Sequence, residues 1–89
     1  MPQYRNLSET IFILDEIEGE EAVVKSGDSM LEYGEPDLAI RLYNRALEDW
    51  PDSYKAQIGL SKAYQKKGMQ REAAQAAAKA VEIQSRSKN

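Results

Sequence analysis

Eighty-nine residues, 42% of them hydrophobic and 30% charged, are enough for one small globular domain with a thin core. The chain contains no cysteine and no histidine, which excludes disulfide bonds, thiolate zinc sites, thiol nucleophiles and histidine-based acid–base catalysis. We therefore expect a non-catalytic protein without a cofactor. The lack of a signal-peptide pattern and of a membrane-length apolar run favours the cytoplasm.

Charge is distributed unevenly along the chain, although the formal net charge at pH 7 is only −3. Residues 1–19 carry a net charge of −3, residues 20–53 carry −6 and residues 54–89 carry +6. Chance placement of solubilising charge is one explanation. The other is that the acidic and basic ends complement each other or face different partners.

The N-terminal segment, residues 1–19, is predicted to form a short helix. Apolar side chains recur there at approximately helical spacing, at Leu7, Ile11, Leu14 and Ile17. Gly19 can end such a helix. Residues 10–14 are also rich in side chains that favour strands, so a strand is the alternative.

The rest of the chain contains an internal repeat. Residues 20–53 and 54–87 align without a gap, and glycine and alanine recur at equivalent places. The matching pairs include Gly34 with Gly68, Ala39 with Ala73, and Ala46 with Ala80. The period is 34 residues, which is typical of a helix–turn–helix unit.

Each unit is predicted to contain two helices. In the first unit, Gly34 can end one helix, Pro36 can begin the next, and Trp50 with Pro51 ends it. In the second unit, Asp52 or Ser53 can cap the first helix, and Gly68 ends it. The last helix is expected to fray after Gln84.

These residues resemble the tetratricopeptide repeat, a family of paired helices with the same period. Counted from Glu20, the resemblance is carried by Val23, Gly27, Met30, Gly34, Ala39, Tyr43, Ala46 and Pro51. Counted from Tyr54, it is carried by Leu60, Tyr64, Gly68, Ala73 and Ala80. Ser26, Gln57, Ala77 and Ser85 depart from the family pattern.

The resemblance implies an all-α fold of two tandem antiparallel helix–turn–helix hairpins, a fragment of an α-solenoid, with the short N-terminal helix added. The expected organisation is an N-terminal segment at 1–19, repeats at 20–53 and 54–87, and a tail at 88–89. Alanines such as Ala39 and Ala73 should be buried where the two helices of a hairpin cross.

The resemblance also implies a groove that binds a peptide or helix of another protein. The first helix of each repeat lines it, through Glu21, Val24, Lys25, Asp28, Leu31 and Glu32 and then Lys55, Ile58, Gly59, Lys62, Gln65 and Lys66. As partner-binding candidates we select Val24, Asp28, Leu31, Lys55, Ile58, Lys62 and Lys66. The apolar members would anchor a peptide and the lysines would pair with its acidic groups, unless the N-terminal segment covers the apolar members.

Self-assembly into homo-oligomers is the alternative function. The last helix carries unusually small side chains. Its candidate stacking surface against a second copy consists of Ala73, Ala77 and Ala80. Nucleic-acid binding through Lys62, Lys66, Lys67 and Arg71 is a remote alternative, which the acidic net charge and the single nearby aromatic residue, Tyr64, disfavour. Asp28, Glu32 and Glu35 are interpreted as a solvated acidic face, not a metal site.

Overall fold

A computed structural model of the chain describes residues 19–87. Within that range four helices follow one another, and no strand occurs. Helix α1 covers residues 19–32 of the described range, α2 is Pro36–Asp49, α3 is Tyr54–Lys66 and α4 is Gln70–Ser87. The helices thus form two hairpins, α1–α2 and α3–α4, as expected. The helix or strand predicted at the N-terminus lies outside the described residues.

The turn inside each hairpin is built on a glycine with positive φ. Gly34 has a φ of 79° and Gly68 a φ of 75°, the left-handed region that glycine adopts at little cost. In the first hairpin the Glu35 amide donates to the Met30 carbonyl, and in the second the Met69 amide donates to the Tyr64 carbonyl. These bonds satisfy carbonyls that a helix end would otherwise leave unpaired. The sequence prediction that these glycines end α1 and α3 is confirmed.

The connection between the two hairpins is short and capped. The amide of Trp50 donates to the Ala46 carbonyl at the end of α2. Ser53, not Asp52, is the N-cap of α3, and its side chain accepts a hydrogen bond of 3.2 Å from the Ala56 amide. One of the last carbonyls of α2 and one of the first amides of α3 thus find partners within the connection itself.

Small side chains occupy the places where helices cross. Ala39, Ala46 and Ala80 are completely buried and Ala73 is 3% exposed, which confirms the prediction for Ala39 and Ala73. A methyl side chain lets two helix backbones approach closely, so that larger side chains fill the space on either side. Helix α3 packs against both α2 and α4 and contributes Ala56, Leu60 and Ala63 to the core.

Helix α4 is longer than the sequence suggested. It continues to Ser87 instead of fraying after Gln84. Two contacts lie in its last turn: the Arg86 guanidinium donates to the Asp52 carboxylate at 3.2 Å, and the Ser87 hydroxyl donates to the Gln84 carbonyl at 2.9 Å. No helix within residues 19–87 has both the length and the apolarity that crossing a membrane requires.

Candidate functional site

Tyr43 of α2 is the side chain at which three helices meet. Its ring is completely buried and lies against two glycines, Gly27 of α1 and Gly59 of α3. A Cβ atom on Gly27 would stand 2.7 Å from the ring, and one on Gly59 would stand 2.3 Å from it. Both glycines are therefore required by the ring, and Gly59 is a buried packing residue, although its repeat position is a groove position.

The Tyr43 hydroxyl donates a hydrogen bond to the carboxylate of Asp28 on α1. Burial raises the pKa of Tyr43 above its ordinary value, and the hydrogen bond and the negative charge of Asp28 raise it further. The hydroxyl consequently stays protonated at neutral pH and remains a donor. The carboxylate of Asp28 is thus held in place by the hydroxyl of a completely buried side chain, Tyr43.

Asp28 forms part of an open cleft between the two first helices of the hairpins, here called the α1/α3 cleft. Its lining residues are Asp28, Leu31 and Glu32 from α1, and Lys62, Gln65 and Lys66 from α3. All of them are exposed except Leu31, which is 8% exposed and also belongs to the hydrophobic core. The cleft therefore has an acidic wall formed by α1, a basic wall formed by α3 and one apolar lining residue, Leu31.

The charged side chains of the two walls do not form ion pairs with one another. Between residues 19 and 87, ion pairs within 4.0 Å join Glu21 to Lys55, Asp37 to Lys67, and Asp52 to Arg86. All three lie outside the α1/α3 cleft. Opposite charges of the two walls thus face a common space without neutralising each other by direct contact.

Two of these ion pairs join the acidic first repeat to the basic second repeat. Glu21 pairs with Lys55 at 4.0 Å and Asp52 with Arg86 at 3.2 Å, and the members of each pair occupy equivalent positions of the two repeats. Equivalent residues of the two hairpins are therefore neighbours, with the acidic member first and the basic member second.

The predicted groove residues have different surroundings in the structure. Asp28, Leu31, Lys62 and Lys66 line the α1/α3 cleft, together with Glu32 and Gln65 from the same groove positions. Lys55 lies outside it beside Glu21, and Ile58 is half-buried. Val24 is 4% exposed within the core, so its prediction as an exposed anchor is corrected.

The predicted stacking surface also needs correction. Ala73 and Ala80 are buried inside the second hairpin, because they form its helix crossing, and cannot contact another molecule. Ala77 is only half-buried. Farther along α4, Val81 is 61% exposed, whereas its equivalent Leu47 packs against the core.

The basic residues considered for nucleic-acid binding do not act as one free patch. Lys62 and Lys66 line the α1/α3 cleft, and Lys67 donates a hydrogen bond to the Asp37 carboxylate. Arg71 lies on the next helix. Their charge is therefore divided between a cleft, an ion pair and a separate surface.

Sequence reasoning missed two features of the helix packing. The role of Tyr43 in holding Asp28 could not be found, because their separation along the chain gives no indication of a contact. A second cleft, between α2 and α4, has Leu47, Leu60 and Ala76 among its lining residues. Gln57, 7% exposed, also lines it, and its departure from the family pattern was the available signal.

Among residues 19–87, no group of three or more acidic side chains is arranged to hold a metal ion.

Comparison with known proteins supports the repeat assignment. No curated protein matches the chain. The family model described as "Tetratricopeptide repeat" matches residues 30–87, which is well over half of the sequence. Together with the paired helices and the contacts between equivalent residues of the two hairpins, this match shows that the chain belongs to the tetratricopeptide repeat family.

Proposed function

We propose that this protein is a non-catalytic binding module that holds a peptide of another protein in the α1/α3 cleft. Tetratricopeptide repeats are in general modules for protein–protein interaction or scaffolding, and typically non-catalytic. The proposal for this cleft rests on its exposed charged side chains. None of them forms an ion pair with another residue of the described range 19–87. Lys62 and Lys66 are available to pair with a ligand, and so are Asp28 and Glu32.

The geometry of Asp28 supports the same proposal. Ordering a side chain on binding costs free energy, and a side chain that is already held loses less. The hydrogen bond from Tyr43 holds Asp28 before any ligand arrives. Leu31 adds an apolar side chain to the lining of the cleft.

A selection experiment tests the proposal. Random peptides displayed on phage are selected on the wild-type protein, and the affinities of the enriched peptides are measured. The cleft variant Lys62→Ala with Lys66→Ala should weaken their binding at least about tenfold, because it removes the basic wall. The matched control is Arg41→Ala with Arg45→Ala, which removes the same charge from exposed positions on α2.

Peptides that bind the cleft variant as tightly as the wild type would overturn the proposal. Failure to enrich any peptide on the wild-type protein would do the same. Unfolding curves of both variants check that the fold is retained, which we expect because all four substituted side chains are exposed.

Self-association is the second candidate function, and it uses a different surface. The exposed side chain of Val81 and the half-buried Ala77 lie on α4, where no further helix of the described chain covers them. The opposite charges of the two repeats would favour an end-to-end arrangement of copies.

A further inference from the structure

The two walls of the α1/α3 cleft differ in sign over the same length. Asp28 and Glu32 lie one helical turn apart on α1, and Lys62 and Lys66 lie one turn apart on α3. That spacing separates the members of each pair by about 6 Å along the helix axis. Because Asp28 and Lys62 are equivalent repeat positions, as are Glu32 and Lys66, the two pairs run side by side.

The usual separation of neighbouring helices limits the conformation that a ligand can adopt between α1 and α3. Packed helices have axes about 8–10 Å apart, whereas a helix with its side chains is about 10–12 Å wide. A helical ligand would therefore rest above the cleft and reach its walls only from one side. An extended peptide is narrower and sends successive side chains to opposite sides.

The spacing of an extended peptide matches that of the walls. Alternate side chains of a strand lie on the same side, about 6.7 Å from each other. Successive charges on each wall are separated by a similar distance, about 6 Å. A peptide that alternates basic and acidic residues would place its basic side chains against Asp28 and Glu32 and its acidic side chains against Lys62 and Lys66.

We infer that the partner segment bound in the α1/α3 cleft is an extended peptide of alternating charge, with its basic side toward α1 and its acidic side toward α3. The inference rests on the proposed function and specifies the ligand of the same cleft. Charge complementarity with both walls identifies this ligand. A uniformly acidic or uniformly basic peptide would satisfy one wall and be repelled by the other.

Two synthetic peptides of identical composition provide the test. Both contain five lysines and five glutamates; in one the residues alternate, and in the other the lysines precede the glutamates. Each is titrated into the ¹⁵N-labelled full chain at low ionic strength, and amide chemical shifts are followed by NMR. The alternating peptide should bind at least about fivefold more tightly, with shifts concentrated in residues 27–33 and 61–67, and salt should weaken it.

The variant Lys62→Glu with Lys66→Glu makes both walls acidic. Its preference for the alternating peptide should fall to less than about twofold, because one side of that peptide now meets like charge. Equal affinity of the two peptides for the wild type, or an undiminished preference in the variant, would overturn the inference. Both substituted lysines are exposed, and a thermal melt checks that the variant remains folded.

Failure of this inference is distinguishable from failure of the proposed function. If neither synthetic peptide binds while phage-selected peptides still depend on Lys62 and Lys66, the alternating-charge ligand is excluded and the binding cleft stands. If the selected peptides also ignore these lysines, the cleft itself is excluded.

Discussion

At the scale of single residues, the contact of Tyr43 with Gly59 makes the most specific demand on the sequence. Alanine has a higher helix propensity than glycine by about 1 kcal/mol, so Gly59→Ala would stabilise an isolated helix. In the folded protein the new Cβ would meet the Tyr43 ring at 2.3 Å. We expect a net loss of about 1–3 kcal/mol in the free energy of unfolding, measured by urea denaturation.

A double-mutant cycle with Tyr43→Leu is the control for this prediction. The smaller side chain leaves room for the added methyl group, so Gly59→Ala should cost much less in that background. Equal costs in both backgrounds would show that the collision with Tyr43 is not the cause.

The Tyr43 hydroxyl leads to a prediction about alkaline pH. Burial and the Asp28 carboxylate raise its pKa in the folded state, whereas an unfolded tyrosine ionises near pH 10. As the pH rises above about 10, the unfolded state therefore loses a proton that the folded state retains, and the contribution of Tyr43 to stability is lost. Tyr43→Phe should cost about 1 kcal/mol at neutral pH, and its difference from the wild type should shrink as the pH rises above about 10.

The control for the pH dependence is Tyr33→Phe, because Tyr33 is 78% exposed. Its unfolding free energy should follow that of the wild type across the same pH range. A constant difference between Tyr43→Phe and the wild type would argue against a raised pKa as the source of the pH dependence.

At the scale of helices, the crossing of α3 and α4 depends on a small side chain at one position. Ala73 is buried there, whereas its neighbour Ala74 is exposed on the same helix. Ala73→Leu should force the helices apart and lower the unfolding free energy by about 1–3 kcal/mol. Ala74→Leu adds the same atoms and should change it by no more than about 0.5 kcal/mol, as is usual for surface substitutions. Indistinguishable thermal melts of these two variants would contradict the assigned crossing.

The ion pairs between the hairpins contribute less to the free energy of unfolding than the helix crossing does. The side chains of Glu21 and Lys55 are 48% and 67% exposed, and those of Asp52 and Arg86 are also largely exposed. Exposed pairs contribute little to stability because water and salt screen them. They are better understood as favouring the correct neighbour for each hairpin than as the source of its stability.

At the scale of the whole molecule, we expect self-association to depend on both charge and the exposed apolar surface of α4. The average mass measured by analytical ultracentrifugation should rise with protein concentration at low salt. It should fall at about 0.5 M salt, where exposed charges interact over only a few ångströms. Val81→Glu should lower it as well, since Val81 is 61% exposed.

Asn44→Glu is the matched control for Val81→Glu, because Asn44 is exposed on α2 and the substitution adds the same charge. It should leave the mass unchanged. A strictly monomeric mass at about millimolar protein and low salt, where even a dissociation constant of about 1 mM would be visible, would exclude this self-association. The proposal that the α1/α3 cleft binds a peptide would be unaffected by that result.

The sequence by itself determined the repeat architecture of the described chain. Glycines at equivalent positions of the two repeats mark two turns with positive φ, since few other residues adopt that conformation. Alanines at equivalent positions mark the helix crossings, since only small side chains fit there. These are local requirements of backbone and volume, so that residue type and spacing are sufficient to predict them.

Only the tertiary structure decided which side chains of a predicted face are exposed and which are buried in the core. Val24 and Asp28 occupy the same helix and both belong to predicted groove positions, yet Val24 is in the core and Asp28 is in the cleft. Likewise Ala73 is buried and Ala77 is only half-buried, although both lie on α4. The hydrogen bond from Tyr43 to Asp28 joins different helices, and its partners are specified by how the helices pack, which the period of a single helix does not contain.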